Sequence, residues 1–185
     1  MPSHESKVDL WYQERARRFL NFRNPPSSYT LEYVNNPPRY FADWSLCEWG
    51  TSGHRKVKGL AEYKRRMLDS NAPFLRTEGM MIPAQKFSSA KGMCATHYIT
   101  FQYVVELNDG LFLYEEEDFN NRGLTLPDFR SVARRGDPND QNLVVMLGWD
   151  HFHKIADVIE LEAHAPNKER RPEDEQDGNQ IRRAS

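Results

Sequence analysis

A glutamate among aromatic residues is the side chain of this sequence best suited to proton transfer. Glu48 lies next to Trp49, with Trp44 shortly before it and Tyr63 further along the chain. Aromatic neighbours exclude water, which raises the pKa of a carboxyl group toward the range used in acid–base catalysis. Glu48 is therefore the first candidate catalytic residue, and the competing interpretation is a solvated glutamate in a surface salt bridge. The candidate substrate-binding residues around it are Trp44, Trp49 and Tyr63.

A long predicted strand supplies further candidates. Residues 94–107 are rich in β-branched and aromatic side chains, which favours a strand. Side chains alternate along a strand, so His97, Phe101 and Tyr103 share one face. That face is the more apolar one, and we expect it to line a pocket with His97 and Tyr103 as catalytic residues and Phe101 against the substrate. A shift of one residue would place Tyr98 inside instead of His97, and a lone strand histidine is more often structural.

The end of the sequence adds one carboxylate and two histidines. Glu160 on a predicted last strand is a candidate second acid–base group, and Trp149 before it is a candidate substrate-binding residue. An equally good interpretation puts the apolar neighbours of Glu160 in the core and its carboxylate in solvent. His151 and His153 have the spacing of a metal-ligand pair, but no further His or Cys spacing supports a metal centre. Because no glycine-rich phosphate loop is present either, no metal and no cofactor are predicted.

The composition limits the partners. The chain of 185 residues carries 25 basic and 27 acidic residues, so its net charge does not favour nucleic acid or an anionic membrane. The two cysteines, and the lack of a signal peptide or long apolar run, favour a reduced, soluble, cytoplasmic protein. Aromatic residues make up 12% of the chain and must be buried or line a pocket. We therefore expect an apolar small-molecule substrate, no nucleic acid and no membrane.

Hydrophobic spacing places helices first and strands later. Helices are predicted at 7–22 and 60–69, with a short helix and a break within 29–44. The predicted strands cover residues 80–87, 94–107, 111–119, 143–152 and 155–161. The turn Asn108-Asp109-Gly110 predicts a hairpin. We expect one domain over residues 7–163 with an insertion at 120–141, which holds a short helix at 126–134, and flexible ends at 1–6 and 164–185.

Helices followed by antiparallel strands joined by hairpins indicate an α+β fold. The sheet must curl over the N-terminal helices to cover so many apolar side chains. This predicts a cone-shaped, curved antiparallel β-sheet with a pocket inside. Its outer face would leave apolar positions uncovered, so we expect a homodimer that pairs through that face.

Two segments resemble the nuclear transport factor 2-like superfamily, which includes ketosteroid isomerase, scytalone dehydratase and the SnoaL-like polyketide cyclases. Glu48-Trp49-Gly50, followed by Val57-Lys58-Gly59-Leu60-Ala61-Glu62-Tyr63, is similar to the family's acid-containing hairpin and the start of its third helix. His153-Lys154-Ile155-Ala156-Asp157-Val158 resembles its closing turn and last strand. The resemblance covers residues 7–163 and implies the cone-shaped fold, with Glu48 at the position of the isomerase's general base and Glu160 facing the cavity.

The resemblance implies a cofactor-independent lyase or isomerase of specialised metabolism, such as a SnoaL-like cyclase or dehydratase. Glu48 would transfer the proton. The isomerase's oxyanion acid would fall near Val144 or Val145, and neither can donate a hydrogen bond, so steroid isomerisation is not expected. The alternative is a non-catalytic binding or scaffold protein of the same fold, such as a ring-hydroxylating dioxygenase β-like subunit.

Overall fold

The computed structural model describes residues 7–23, 31–37, 40, 42–50, 53–115, 128–134 and 137–166. The predicted flexible N-terminus lies outside these ranges, as do residues 167–185 of the predicted tail and 120–127 of the predicted insertion. One domain over residues 7–163 and a homodimer stay predictions. Within the described ranges, no helix is long and apolar enough to cross a membrane.

Helices and strands are interspersed along the chain and do not form a helical first half and a stranded second half. The described helices are α1 (Lys7–Arg23), α2 (Pro73–Glu78), α3 (Ala84–His97) and α4 (Val158–Glu162), and a 3-10 turn covers Trp149–His151. The described strands are β1 (Leu31–Asn35), β2 (Trp44–Trp49), β3 (Arg55–Arg65), β4 (Met80–Pro83), β5 (Thr100–Leu107), β6 (Gly110–Glu115), β7 (Asp128–Arg134), β8 (Asp137–Leu147) and β9 (His153–Ala156).

A parallel strand pair lies at the centre of a mixed sheet. The main sheet has six strands in the order β1-β2-β3-β5-β6-β9, and a second sheet has the order β4-β8-β7. Neighbouring strands are antiparallel except β3 and β5, which run parallel with Gly59 opposite Thr100 and Arg65 opposite Glu106. A parallel pair needs a crossover connection, and the segment that contains α2, β4 and α3 supplies it.

Both faces of the main sheet are buried. On one face, Phe101 and Val105 of β5 pack with residues of α3, β4 and β8. On the other face, Ala61 and Val104 pack with residues of α1 and α4. Because successive side chains of a strand point to opposite faces, the two cores together bury β5 along nearly its whole length.

The predicted cone of antiparallel strands is wrong. A central parallel pair with a core on each face makes a layered sheet, whereas a cone has one inner and one outer face. Residues 60–69 were expected to be helical, but β3 continues to Arg65. Residues 84–97 form α3 in place of the end of the strand expected at 80–87 and the start of the strand expected at 94–107, because the buried Phe87, Ala90 and Cys94 follow helical spacing.

Some of the remaining elements confirm the sequence predictions, and others are of a different type from the predicted one. α1 confirms the helix expected at 7–22, and β5 and β6 form the hairpin expected at Asn108-Asp109-Gly110. Residues 31–35 form β1 instead of a helix, and β7 replaces the short helix expected at 126–134. Glu160 lies in α4 and not in a strand, because Asp157 caps this helix through reciprocal side-chain bonds with Glu160.

A buried ionic network ties α1 to the centre of the main sheet. Arg15 of α1 is buried, and its Nη2 donates to Glu106 Oε1 of β5 over 2.6 Å. The same guanidinium pairs with Glu162 of α4, and Tyr63 Oη of β3 donates to Glu106 Oε2 over 2.8 Å. Burial raises the pKa of Glu106, and the charge of Arg15 opposes that rise. The network therefore holds β3 from its α1 side, at Tyr63.

Arg15→Met should lower the free energy of unfolding by about 3 kcal/mol or more, because the buried Glu106 charge would lose its closest cation. Arg18→Met is the matched control in the same helix. Arg18 pairs with Glu14 at the surface and should contribute less than about 1 kcal/mol. Urea denaturation followed by circular dichroism measures both losses. Equal losses for the two variants would contradict a stabilising role for the network.

Candidate active site

The structure places Glu48 in a surface ion pair. Its carboxylate lies 2.8 Å from Lys58 Nζ, and both side chains reach solvent. The neighbouring Trp49 donates its indole N–H to Glu32 over 2.7 Å, and the Arg55 guanidinium stacks 4.1 Å from the centre of its ring. These contacts favour the salt-bridge interpretation of Glu48 over a catalytic one.

The other predicted catalytic residues lie in different environments. His97 ends α3 and is exposed, and the following Tyr98 is 96% exposed with a left-handed backbone. Tyr103 is enclosed in the core, where burial raises its pKa well above the usual value of a phenol. Glu160 accepts a hydrogen bond from the Asp157 backbone nitrogen over 2.8 Å as part of a helix cap. The fold gives these side chains no shared site.

The predicted substrate-binding residues belong to two separate cores. Trp44 and Tyr63 pack together on the α1 side of the sheet, with ring centroids 5.5 Å apart. Phe101 lies in the core on the opposite face, where Trp149 stacks on Phe152. Because the sheet separates the two groups, they do not line one pocket.

Two carboxylates that the sequence analysis did not select meet at the start of β2. Trp44, the first residue of β2, pairs with Ala61 of β3, so the antiparallel register brings Asp43 opposite Glu62. Asp43 Oδ2 accepts a hydrogen bond from the Tyr63 backbone nitrogen over 2.8 Å. This bond fixes Asp43 against β3 just before β2 begins.

The alternation of β3 puts Glu62 and Lys64 on one side of the sheet. Tyr63 packs in the α1 core and Leu60 packs in the opposite core, so Glu62 and Lys64 belong to the α3 side. Lys86 of α3 reaches the same place and forms an ion pair with Glu62 Oε1. Lys64 is exposed, so its ammonium is accessible from solvent.

Glu62 has an unusual electrostatic environment. Burial raises the pKa of Glu62 to about 7, and the negative charge of Asp43 adds to the rise, while Lys86 and Lys64 oppose it. Lys86 binds Oε1, whereas Oε2 is buried and has no hydrogen-bond partner among the described residues. Buried polar atoms usually have a partner, and Glu62 Oε2 is the one carboxylate oxygen among the buried atoms of the described residues that lack one, so it is a candidate cation ligand.

The donors fit a hard divalent cation. Mg²⁺ is usually held by one or two carboxylates that act together with water and substrate phosphate. Asp43 and Glu62 supply two carboxylates, and a cation would give the buried Oε2 the partner that it lacks. The described residues hold no group of three or more His, Cys, Asp or Glu side chains that could bind a metal. Water and substrate would therefore have to complete the coordination.

Comparison with known families gives a match that covers most of the chain. Residues 1–155 match a family model described as "Phage putative PDDEXK endonuclease". No curated protein and no solved structure matches the chain significantly. In the one-letter code, the family name denotes proline and aspartate, then aspartate or glutamate, any residue and lysine. Asp43 follows Ala42, and Glu62-Tyr63-Lys64 lies on β3. The pattern thus coincides with the acidic pair and the lysine that the fold brings together, with alanine in place of proline.

This match overturns the resemblance to the nuclear transport factor 2-like superfamily. A cyclase, dehydratase or isomerase of specialised metabolism is wrong, and so is a dioxygenase-type subunit. An enzyme is still indicated, but endonucleases are hydrolases and not lyases or isomerases. The expected partner changes as well, from an apolar small molecule to nucleic acid. The near-zero net charge did not exclude this partner, because a local group of cations can bind a polyanion.

The sequence contains a signal for this site. The polar residues Lys56, Lys58, Glu62 and Lys64 all fall on even positions, which is the period of a strand. The apolar spacing of Leu60, Tyr63, Met67 and Leu68 suggests a helix instead, but Met67 is 71% exposed. In a strand, an acidic residue two positions before a lysine places both side chains on one face.

Glu62→Gln should stabilise the metal-free protein at alkaline pH. The pKa of Glu62 is raised from 4.5 to about 7 by folding, so the folded state binds this proton more tightly than the unfolded state. Stability from this group is therefore present at low pH and is lost as the pH rises through about 7. Glutamine does not ionise, so the variant should exceed the wild type by up to about 3 kcal/mol near pH 8, and by little near pH 5.

Glu48→Gln is the control, because it makes the same chemical change in a partly exposed ion pair. It should alter the free energy of unfolding by less than about 1 kcal/mol at either pH. Urea denaturation in the presence of EDTA measures all three proteins. A Glu62→Gln variant less stable than the wild type near pH 8 would mean that Glu62 is not under electrostatic strain.

Proposed function

We propose that this chain, which belongs to the phage PDDEXK endonuclease family, hydrolyses phosphodiester bonds of nucleic acid at a centre formed by Asp43, Glu62 and Lys64. The observation that carries the proposal is the meeting of two carboxylates across β2 and β3, one of them buried with an oxygen that has no partner among the described residues. Neighbouring negative charges disfavour each other's ionised form. A bound cation would instead stabilise the ionised forms of both carboxyl groups.

Asp43 and Glu62 are the residues that would hold Mg²⁺ in this centre. When bound, Mg²⁺ would act as a Lewis acid toward the phosphate and lower the pKa of a water molecule that attacks phosphorus. The protein's contribution is preorganisation. Asp43 is fixed by the backbone nitrogen of Tyr63, and Glu62 is only 6% exposed and is oriented by its ion pair with Lys86.

Lys64 would stabilise the reacting phosphate. It lies two residues after Glu62 on the same side of β3 and is exposed. In hydrolysis the hydroxyl group of water joins phosphorus, the bond from phosphorus to the leaving oxygen breaks, and the leaving oxygen takes up a proton. Negative charge grows on the phosphoryl oxygens during this step, and a nearby ammonium group stabilises it.

Lys86 has a supporting role at the same carboxylate. Its ion pair with Glu62 Oε1 favours the ionised form of Glu62 and orients the side chain before substrate arrives. Because Lys86 occupies Oε1, the other oxygen of Glu62 is the one left to bind a cation.

We also propose that the reaction takes place in the cytoplasm. Cys47 and Cys94 are buried and are not joined in a disulfide, which suits a reducing compartment.

Asp43→Asn and Lys64→Met should each lower Mg²⁺-dependent cleavage by about a hundredfold or more, because Asp43 would hold the Mg²⁺ and Lys64 would stabilise the negative charge on the phosphoryl oxygens. Initial rates on duplex DNA, single-stranded DNA and RNA measure the effect. The matched controls are Glu48→Gln and Lys58→Met, an acid and a lysine of the same two strands that form a surface pair. The controls should keep the wild-type rate. Wild-type rates in the Asp43 and Lys64 variants would reject the assigned centre, and a wild type that cleaves none of these substrates would reject the function.

Mg²⁺ should stabilise the folded protein even without substrate. At a metal concentration about a hundredfold above its Kd, the free energy of unfolding should rise by roughly 3 kcal/mol, because only the folded state holds both carboxylates together. Asp43→Asn should lose most of this gain. Thermal unfolding with Mg²⁺ or EDTA measures it. Equal stabilisation of the variant and the wild type would place the metal elsewhere.

A further inference from the structure

A polar cleft of about 200 Å³ opens beside the proposed centre. It lies at the edge of β3, between the first turns of α1 and the end of the strand. Tyr63 belongs to the α1 side and Lys64 to the side of the proposed centre, so residues of both faces line the cleft at this edge. Its lining residues are Asp9, Gln13, Tyr63, Lys64, Arg65 and Arg66.

We infer that this cleft binds a backbone phosphate of the nucleic acid next to the phosphate that is cleaved, with Arg66 as its main cation. The inference rests on the proposed function, because it takes Lys64 to lie at the reacting phosphate. It adds a binding residue that lies outside the acidic pair and its two lysines.

The first support is that the two outer cations of the cleft are not held in contact ion pairs. Several cations of the chain are paired with carboxylates, as Arg15 is with Glu106 and Lys86 is with Glu62. Within the described part of the chain, neither Lys64 nor Arg66 forms an ion pair. Lys64 acts on Glu62 and Arg66 on Tyr103 through space, but an anion that enters the cleft would not have to break a contact ion pair of either cation.

The second support is that the end of β3 is held rigidly. The Arg65 guanidinium stacks 3.4 Å from the centre of the Tyr12 ring, and its Nε lies 3.6 Å from Glu106 Oε1. The backbone nitrogen of Arg66 donates to the Glu106 carbonyl oxygen over 2.9 Å. Arg65 is therefore held in place and forms one wall of the cleft. The backbone of Arg66 is fixed as well, which lowers the conformational entropy that its side chain loses when it binds an anion.

The third support is the open side of β3 at this point. β2 begins at Trp44, opposite Ala61, so beyond Ala61 the only described strand that pairs with β3 is β5. A ligand can reach Lys64 and Arg66 from this side. Two strand positions span about 6.6 Å, so the two cations suit neighbouring charges of a polyanion better than one small ion.

Asp9 gives the inference a test of opposite sign. Its carboxylate lines the same cleft from α1 and would repel a phosphate there. Removing this charge should therefore tighten binding, whereas removing the Arg66 charge should weaken it.

The experiment is a salt titration of DNA binding by the full chain in EDTA, with short duplex and single-stranded DNA as separate probes. Arg66→Gln should weaken duplex binding roughly fivefold near 0.1 M salt and reduce the slope of log Kobs against log salt by about 0.9, since one phosphate contact is lost. With single-stranded DNA the slope should fall by about 0.7. Asp9→Asn should tighten binding of both probes. The probe that shows the predicted change in slope identifies the form of nucleic acid that the cleft holds.

Lys58→Gln is the control for the loss of one positive charge. Lys58 lies eight positions before Arg66, about 26 Å away along an extended strand, so its removal should leave the slope unchanged. Circular dichroism checks that each variant is folded. An Arg66→Gln slope equal to that of the wild type, or weaker binding by Asp9→Asn, would overturn the inference while cleavage by the wild type left the proposed function intact. An Arg66-dependent slope in a protein without nuclease activity would instead reject the function and keep the phosphate site.

Discussion

The alternation of side chains along β3 is the constraint on which the site depends. Ala61 and Tyr63 pack in the α1 core, while Glu62 and Lys64 belong to the opposite side. A shift of one residue would bury the acid and the lysine under α1 and move Tyr63 out of its core. Three contacts oppose such a shift: the bond from the Tyr63 backbone to Asp43, the bond from Tyr63 Oη to Glu106, and the parallel pairing with β5.

The proposed centre is electrostatically unfavourable in the metal-free protein, and the surrounding fold has to offset it. Glu62 is buried beside Asp43, its pKa is raised to about 7, and one of its oxygens has no partner among the described residues. Cores on both faces of the sheet and the Arg15–Glu106 pair hold the strand in place despite this strain. Strain of this kind is common where a site is shaped for its ligand and not for stability. The same strain would make a cation bind more tightly.

Local patterns in the sequence were enough to predict the elements that depend on local contacts. α1 and the turn at Asn108-Asp109-Gly110 were predicted because their signals lie within a few residues. α3 has many small and polar residues, so its apolar stripe is weak and its period is ambiguous. The acidic pair was missed because Asp43 and Glu62 meet only through the register of β2 and β3. Glu48 was selected because Trp49 follows it in the sequence, but successive side chains of a strand point to opposite sides, so Trp49 does not shield the Glu48 carboxylate.

Tyr63 occupies the position between Glu62 and Lys64 at which the family pattern allows any residue, yet its contacts hold both of its neighbours in place. Burial raises the pKa of Tyr63, and the charge of Glu106 adds to the rise, so the phenol stays protonated and remains a hydrogen-bond donor. Its side chain donates to Glu106 in the α1 core, and its backbone nitrogen donates to Asp43 at the proposed centre. One residue thus links the buried network to the acidic pair, and its two bonds set the faces of both Glu62 and Lys64. Phenylalanine would keep the backbone bond to Asp43 and the aromatic packing. It has no hydroxyl group, so Glu106 would have one hydrogen-bond donor fewer, and the link to the buried network therefore requires tyrosine.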